Sequence, residues 1–499
     1  MDTLSHLAFG LGVALTWQNL AYCFAGCLLG TLVGVLPGVG PVTTVAMLLP
    51  FTFGLGPAPA LIMLAGIYYG AQYGGSTTAI LVNIPGESSS VVTTIDGYQM
   101  ARNGRAGPAL GIAAIGSFIA GCFATLVIAY FAPPLAEVAL DFAPADYFSL
   151  MVLGLVASVV LARGSLIKAI AMVCFGILLG LIGTDVNTGT IRFGFGWPQL
   201  TDGIGFVALA MAFFGVTDVL LNLEQEEQQD VFAARIGNIL PSGEDMKVCA
   251  PTIARSTLLG SILGILPGGG ALLASFAAYM LEKKIAKPPR SFGSGDIRGV
   301  AAPESANNAG AQTSFIPMLT LGVPSNPTMA MMIGALMIQG ITPGPGVMNE
   351  RPDLFWGLIA SMWIGNLMLL VLNLPLVGLW IRLLAIPYRL LYPAIFVFCC
   401  IGAYSVNNEI FDVYTVALLA GVGYVLLKLD CEPAPMVLGF VLGPMLEENL
   451  RRAMMLSFGD PSVFVTRPLS AVCLVLAVLA LVVLALPALR QKREEAMRE

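Results

Sequence analysis

Of 499 residues, 57% are hydrophobic and only 11% are charged, with a formal net charge of −6. Soluble domains carry about 25% charged residues, so this composition excludes a water-soluble protein of this size and makes the lipid bilayer the solvent for most of the chain. The single histidine, His6, removes histidine-based catalysis, and the nine cysteines include no CxxC pair, so no zinc site, disulfide framework or other cofactor is expected. Neither an enzyme nor a nucleic-acid partner is expected.

The N-terminus has no Lys or Arg ahead of its first apolar run and reads as retained rather than cleaved. Membrane segments are expected near 20–36, 41–55, 58–82, 107–132, 147–162, 166–183 and 203–221. Others are expected near 256–282, 300–322, 327–342, 354–384, 386–404, 411–428, 433–446 and 468–489. The fold class read from them is an all-α polytopic membrane protein with about 11–14 hydrophobic segments and two inverted repeats containing broken or re-entrant helices. The expected divisions are a first half over 1–221, a polar connector over 222–255, a second half over 256–467, a last transmembrane helix over 468–489 and a charged cytoplasmic tail over 490–499.

The repeat is visible as paired motifs. Gly34–Gly40 (GVLPGVG) returns as Gly264–Gly270 (GILPGGG), displaced by 230 residues. The Asn83-Ile84-Pro85-Gly86-Glu87 motif is matched by Gly322-Val323-Pro324-Ser325-Asn326, displaced by 239. The basic loops alternate between halves: Arg102 and Arg105 follow the second motif in the first half, whereas Lys283, Lys284, Lys287, Arg290 and Arg298 follow the first motif in the second half. Lys and Arg mark cytoplasmic loops, so this alternation implies that the halves are inverted.

Inverted repeats with discontinuous helices bind substrate near the bilayer midplane at the repeat interface. Pro37, Gly38 and Gly40, and Pro267, Gly268 and Gly270, interrupt apolar stretches too short for two spans, so each is expected to be either a broken helix or a re-entrant hairpin. Broken ends expose N–H groups that can hold a carboxylate and carbonyls that can hold Na⁺; a packing kink is the alternative. Polar strings follow, with Ser76, Thr77, Asn83, Gly86 and Ser88 in one half and Asn307, Asn308, Ser325 and Asn326 in the other as substrate-binding candidates. Ser and Thr also serve as helix–helix glue, whereas such density beside a break suits a wet cavity. Glu87, Asp96 and Glu304 are the ion-coupling candidates, with a helix-capping role as the alternative for Glu304. No Lys or Arg lies in these strings.

The series GVLPGVGP (Gly34–Pro41), NIPGE (Asn83–Glu87) with Asp96-Gly97-Tyr98, GVAAPESANN (Gly299–Asn308) and GDPSVF (Gly459–Phe464) resembles the large membrane subunit of tripartite tricarboxylate transporters, the TctA-type family. The resemblance implies a small four-span membrane subunit and a periplasmic solute-binding protein as partners. It also implies import of a tricarboxylate or related small carboxylate across the bacterial inner membrane, driven by a Na⁺ or H⁺ gradient. The absence of a Walker A sequence accords with ion coupling. A channel or facilitator without ion coupling is the competing expectation.

Overall fold

A computed structural model of the chain describes residues 3–36, 40–162, 165–185, 188–224, 238–266, 270–286, 291–384 and 388–485. The architecture is all-α and polytopic; the strand pairing among the described residues is limited to Gly183–Thr184 against Ile191–Arg192.

The first unit comprises α1 (Thr3–Ala14), α2 (Trp17–Gly34), α3 (Pro41–Leu48), α4 (Pro57–Val82) and α5 (Val91–Arg102). Glycines set its packing. A Cβ on Gly26, Gly30 or Gly34 would lie 2.2–2.4 Å from the carbonyl oxygens of Met63, Ile67 and Ala71 respectively, so α2 and α4 touch backbone to backbone. Their registers rise together, which makes them parallel. Since α4 begins six residues before Met63, which lies against Gly26, about 9 Å at the helical rise, the chain has already returned to the level of the first turn of α2. The α2–α3 pair is therefore a re-entrant hairpin, which settles the choice that sequence left open. Helix α4 ends at Asn83 in the left-handed conformation (φ 60°), which Asn tolerates better than most residues.

Helices α6 (Ala106–Leu140), α7 (Pro144–Leu161), α8 (Leu166–Gly180), α9 (Phe206–Ala210) and α10 (Thr217–Glu224) lead to the second unit, with a π-helical stretch, Met211–Val216, between the last two. That unit repeats the plan in α11 (Gly243–Ile265), α12 (Gly270–Ile285), α13 (Arg298–Thr313), α14 (Phe315–Leu321) and α15 (Pro327–Ile338). Gly260 meets Ala306 O at 2.4 Å and Gly264 meets Gly310 O at 2.3 Å, measured from a built Cβ. These are the Gly30–Ile67 and Gly34–Ala71 contacts displaced by 230 and 239 residues. The left-handed cap recurs at Gly322 (φ 69°).

Contacts between units establish the inversion. At one end, Arg105 after α5 pairs with Asp245 at the start of α11 (2.6 Å), and Asp96 of α5 takes backbone N–H groups from the loop after α12. At the other, Gln339 after α15 donates to Thr52 O just before α4 (3.4 Å), and Gly10 of α1 packs on Trp356. The first unit thus starts where the second finishes. Arg102, Arg105 and Arg298 gather at a single end.

The remaining helices are α16 (Val347–Glu350), α17 (Pro352–Asn373), α18 (Val377–Leu384), α19 (Tyr388–Asn407), α20 (Ile410–Lys428), α21 (Pro433–Leu456), α22 (Val463–Thr466) and α23 (Pro468–Ala485). Among the described residues four helices are individually long and apolar enough to cross a membrane (α6, α11, α17 and α20), and α1 meets α2, the first arm of the hairpin, at a bend of 80°. Several boundaries differ from expectation. Helix α11 starts inside the stretch read as a connector because Ser242 and Asp245 form a reciprocal cap, Asp245 N–H to Ser242 Oγ and Ser242 N–H to Asp245 Oδ2. The 300–322 stretch breaks at Ser314 into α13 and α14, and 354–384 divides into α17 and α18. Of the regions expected from sequence, 225–237 of the connector, Lys287, Arg290 and the tail 490–499 lie outside the described residues.

Candidate functional site

The site lies where the two hairpins and the two broken helices meet. A cavity of about 240 Å³ is lined by the starts of α3 (Pro41), α12 (Ala271, Leu272) and α15 (Asn326, Pro327, Thr328), together with Glu87, Ser88 and Ser89 ahead of α5. Helix N-termini carry partial positive charge; among the described residues no Lys or Arg lines the space, and Glu432 ahead of α21 is a second acid on its wall beside Glu87. Tyr68 and Gln72 of α4 form one wall, and Ser158 of α7, Phe214 of the π-helical stretch and Leu438 of α21 close it.

Behind the cavity is a buried polar network joining the units. The Glu87 carboxylate accepts from Ser89 Oγ (2.6 Å) and from Asn307 Nδ2 (2.8 Å), and Asn307 Oδ1 accepts from Gln72 Nε2 (3.2 Å). The Glu304 carboxylate accepts from Ser76 Oγ and Thr93 Oγ1, both at 2.5 Å. Its carbonyl oxygen accepts from Asn308 Nδ2 (3.1 Å), whose amide also reaches Ser117 Oγ on α6 (2.7 Å). Glu87 is 8% exposed and Glu304 1%. Among the described residues neither carboxylate has an ion-pair partner. Two buried carboxylates compensated by hydroxyls and amides alone can accept a proton or contribute oxygen ligands to a hard cation.

The sequence candidates separate into groups. Glu87, Ser88 and Asn326 line the cavity, and Ser76, Asn307, Asn308 and Glu304 form the network behind it. Glu304 sits in the second turn of α13, so capping does not account for it. Gly40 is the residue before α3, and Gly270 opens α12 at φ 41°. Among the described residues Thr77 bonds only the Tyr73 carbonyl of its own helix (3.3 Å). Asn83 is the α4 cap, Gly86 packs against Gly75 Cα, and Ser325 donates to Ser314 O (3.4 Å). Asp96 stands apart: its Oδ1 accepts the N–H groups of Gly293, Gly295 and Asp296, and its Oδ2 accepts the Tyr279 hydroxyl. Pro37, Gly38, Pro267 and Gly268 lie outside the described residues.

The family model described as "Tripartite tricarboxylate transporter TctA family" matches residues 20–438. The chain belongs to that family. Two proteins from Agrobacterium vitis are similar to it. One, an uncharacterized 52.8 kDa protein in the TAR-I ttuC' 3' region, is 58% identical over 100% of this chain and 99% of its own length. The other, an uncharacterized protein in the TAR-II ttuC' 3' region, is 59% identical over 48% of this chain and 99% of its own length. No solved structure matches.

This TctA-family chain also uses residues that the motif reading passed over. Gln72 was detectable in principle, as a lone amide within the apolar run of α4. Ser117, Ser158 and Phe214 carry no such signal, because their positions depend on helices far away in sequence.

Proposed function

We propose that this chain is the permease subunit of a binding-protein-dependent secondary transporter that imports small organic carboxylates, tricarboxylates among them, across the bacterial inner membrane. The cavity carries the reading. It lies at the interface of two inverted units, is surrounded by helix N-termini, and has two buried carboxylates at its rim and back. Its volume falls below the roughly 300–1,000 Å³ of drug-sized ligand sites, which suits a compact substrate. In this scheme Glu87 and Glu304 carry the coupling Na⁺ or H⁺, whose positive charge accompanies the anion. A periplasmic solute-binding protein delivers substrate, a four-span subunit completes the membrane assembly, and the end bearing Arg102, Arg105 and Arg298 faces the cytoplasm.

The test is uptake into liposomes containing the chain and its partners. Citrate, succinate or benzoate should accumulate only with both a cation gradient and the binding protein. Gradient-independent equilibration would identify a facilitator instead. Glu304→Gln should alter the Na⁺ or pH dependence of uptake; an unchanged dependence removes Glu304 from ion coupling.

A further inference from the structure

The inverted units present one cradle twice, and a carboxylate occupies only the first. There, Glu87 is held by the Ser89 hydroxyl of its own unit and by the Asn307 amide of the other. The 239-residue displacement maps Glu87 onto Asn326 and Ser89 onto Thr328, while Asn307 maps back onto Tyr68. The backbones agree: Glu87 (φ −144°, ψ 165°) and Asn326 (φ −156°, ψ 170°) are both extended residues opening a helix.

The second cradle therefore has two hydroxyls, Thr328 and Tyr68, where the first has the donors to a carboxylate. It has a neutral amide where the first has the acid. The Asn326 side chain is engaged with its own unit: Oδ1 accepts the Met329 N–H (3.0 Å) and Nδ2 donates to Ser314 Oγ (3.2 Å). Thr328 is 4% exposed and lines the cavity, and among the described residues its hydroxyl has no hydrogen-bond partner. Tyr68, 3% exposed, lines the same cavity.

We propose that one carboxylate of the substrate docks in this second cradle, on the Thr328 and Tyr68 hydroxyls and the first turn of α15, in the position that Glu87 fills for itself in the first unit. The inference rests on the carboxylate reading above and adds its docking geometry. An anion placed in the first cradle would meet the Glu87 charge, whereas α15 offers a twelve-residue helix start with no acid at its cap. The exchange of Glu for Asn between units thus gives the substrate one way round in a site built from two similar halves.

The test is equilibrium binding of radiolabelled citrate, succinate and benzoate to the full-length chain purified with its small subunit. Asn326→Asp keeps an acceptor for the Met329 N–H, loses the donor to Ser314 Oγ and supplies its own carboxylate, and should abolish binding while the chain stays folded. Thr328→Val and Tyr68→Phe each remove a hydrogen bond to a charged group and should raise Kd about tenfold to a hundredfold. Wild-type Kd in Thr328→Val and Tyr68→Phe overturns the cradle alone, whatever Asn326→Asp does to folding. A wild-type chain that binds none of the three probes overturns the carboxylate reading and the cradle together.

Discussion

Asp96 provides a sharp test of how buried acids divide between structure and transport. Its carboxylate is fully buried and accepts three backbone N–H groups at 2.8–2.9 Å from the 293–296 loop, with the Tyr279 hydroxyl at 2.9 Å. A hydrogen bond to a charged group contributes about 1.5–3 kcal/mol, and neighbouring bonds do not add in full. Asp96→Ala should therefore destabilise the protein by about 3–5 kcal/mol after allowing for water reaching the partly buried loop. Asp96→Asn keeps one acceptor oxygen and should cost about 1–2 kcal/mol. The assay is thermal unfolding of the detergent-purified chain, combined with the rate of tryptic cleavage around Lys283, Lys284 and Arg298. Gly299→Ala should act in the same direction, since its Cβ would come within 2.1 Å of Asp96 Oδ2. If Asp96→Ala unfolds at the wild-type temperature while both Asp96 variants lose the cation dependence of uptake, the anchoring argument is wrong and Asp96 belongs with Glu87 and Glu304.

Two further predictions address the framework. Gly30→Ala and Gly260→Ala place matching methyl groups 2.3–2.4 Å from backbone oxygens; each should lower stability by about 1–3 kcal/mol or more, whereas Gly12→Ala, with open space around it, should be neutral or stabilising in unfolding scans. Arg255→Met leaves Glu282, 0% exposed, without its two-pronged partner at 2.7 and 2.9 Å and with only the Thr252 hydroxyl at 2.9 Å among the described residues, a loss of about 1–3 kcal/mol because Arg255 is itself partly exposed. The double variant Arg255→Met/Glu282→Leu should recover most of that stability; no recovery would show that the helices need the pair for more than charge balance.

Features that depend on local composition or on short-range pattern were legible from the chain. Membrane residence needs only the scarcity of charge, and the duplication announces itself because Gly and Asn accept the left-handed backbone that other residues avoid and Pro fixes φ, so they repeat where the geometry repeats. Hence Asn83 and Gly322, unlike in chemistry, were paired by position and occupy the same left-handed cap. Loop charge implied inversion, and the Arg105–Asp245 and Gln339–Thr52 contacts bear it out.

Other features required the assembled molecule. Whether Gly34–Gly40 bends a spanning helix or reverses it depends on where α4 returns, and this is fixed by glycine contacts on a different helix. The start of α11 was missed because its cap stands in a polar stretch with no apolar run to mark it. The polar strings mark residues that meet between the units but not their wiring: Glu87 is held by a residue 220 positions away, and Glu304 by hydroxyls 228 and 211 positions away. Sequence by itself determined a duplicated, inverted membrane protein with acids at its helix breaks, because backbone permissiveness and hydropathy are properties of each segment alone. Tertiary structure decided which acid faces the cavity, which lies behind it and which anchors a loop, because those roles arise only where the antiparallel units bring distant side chains together.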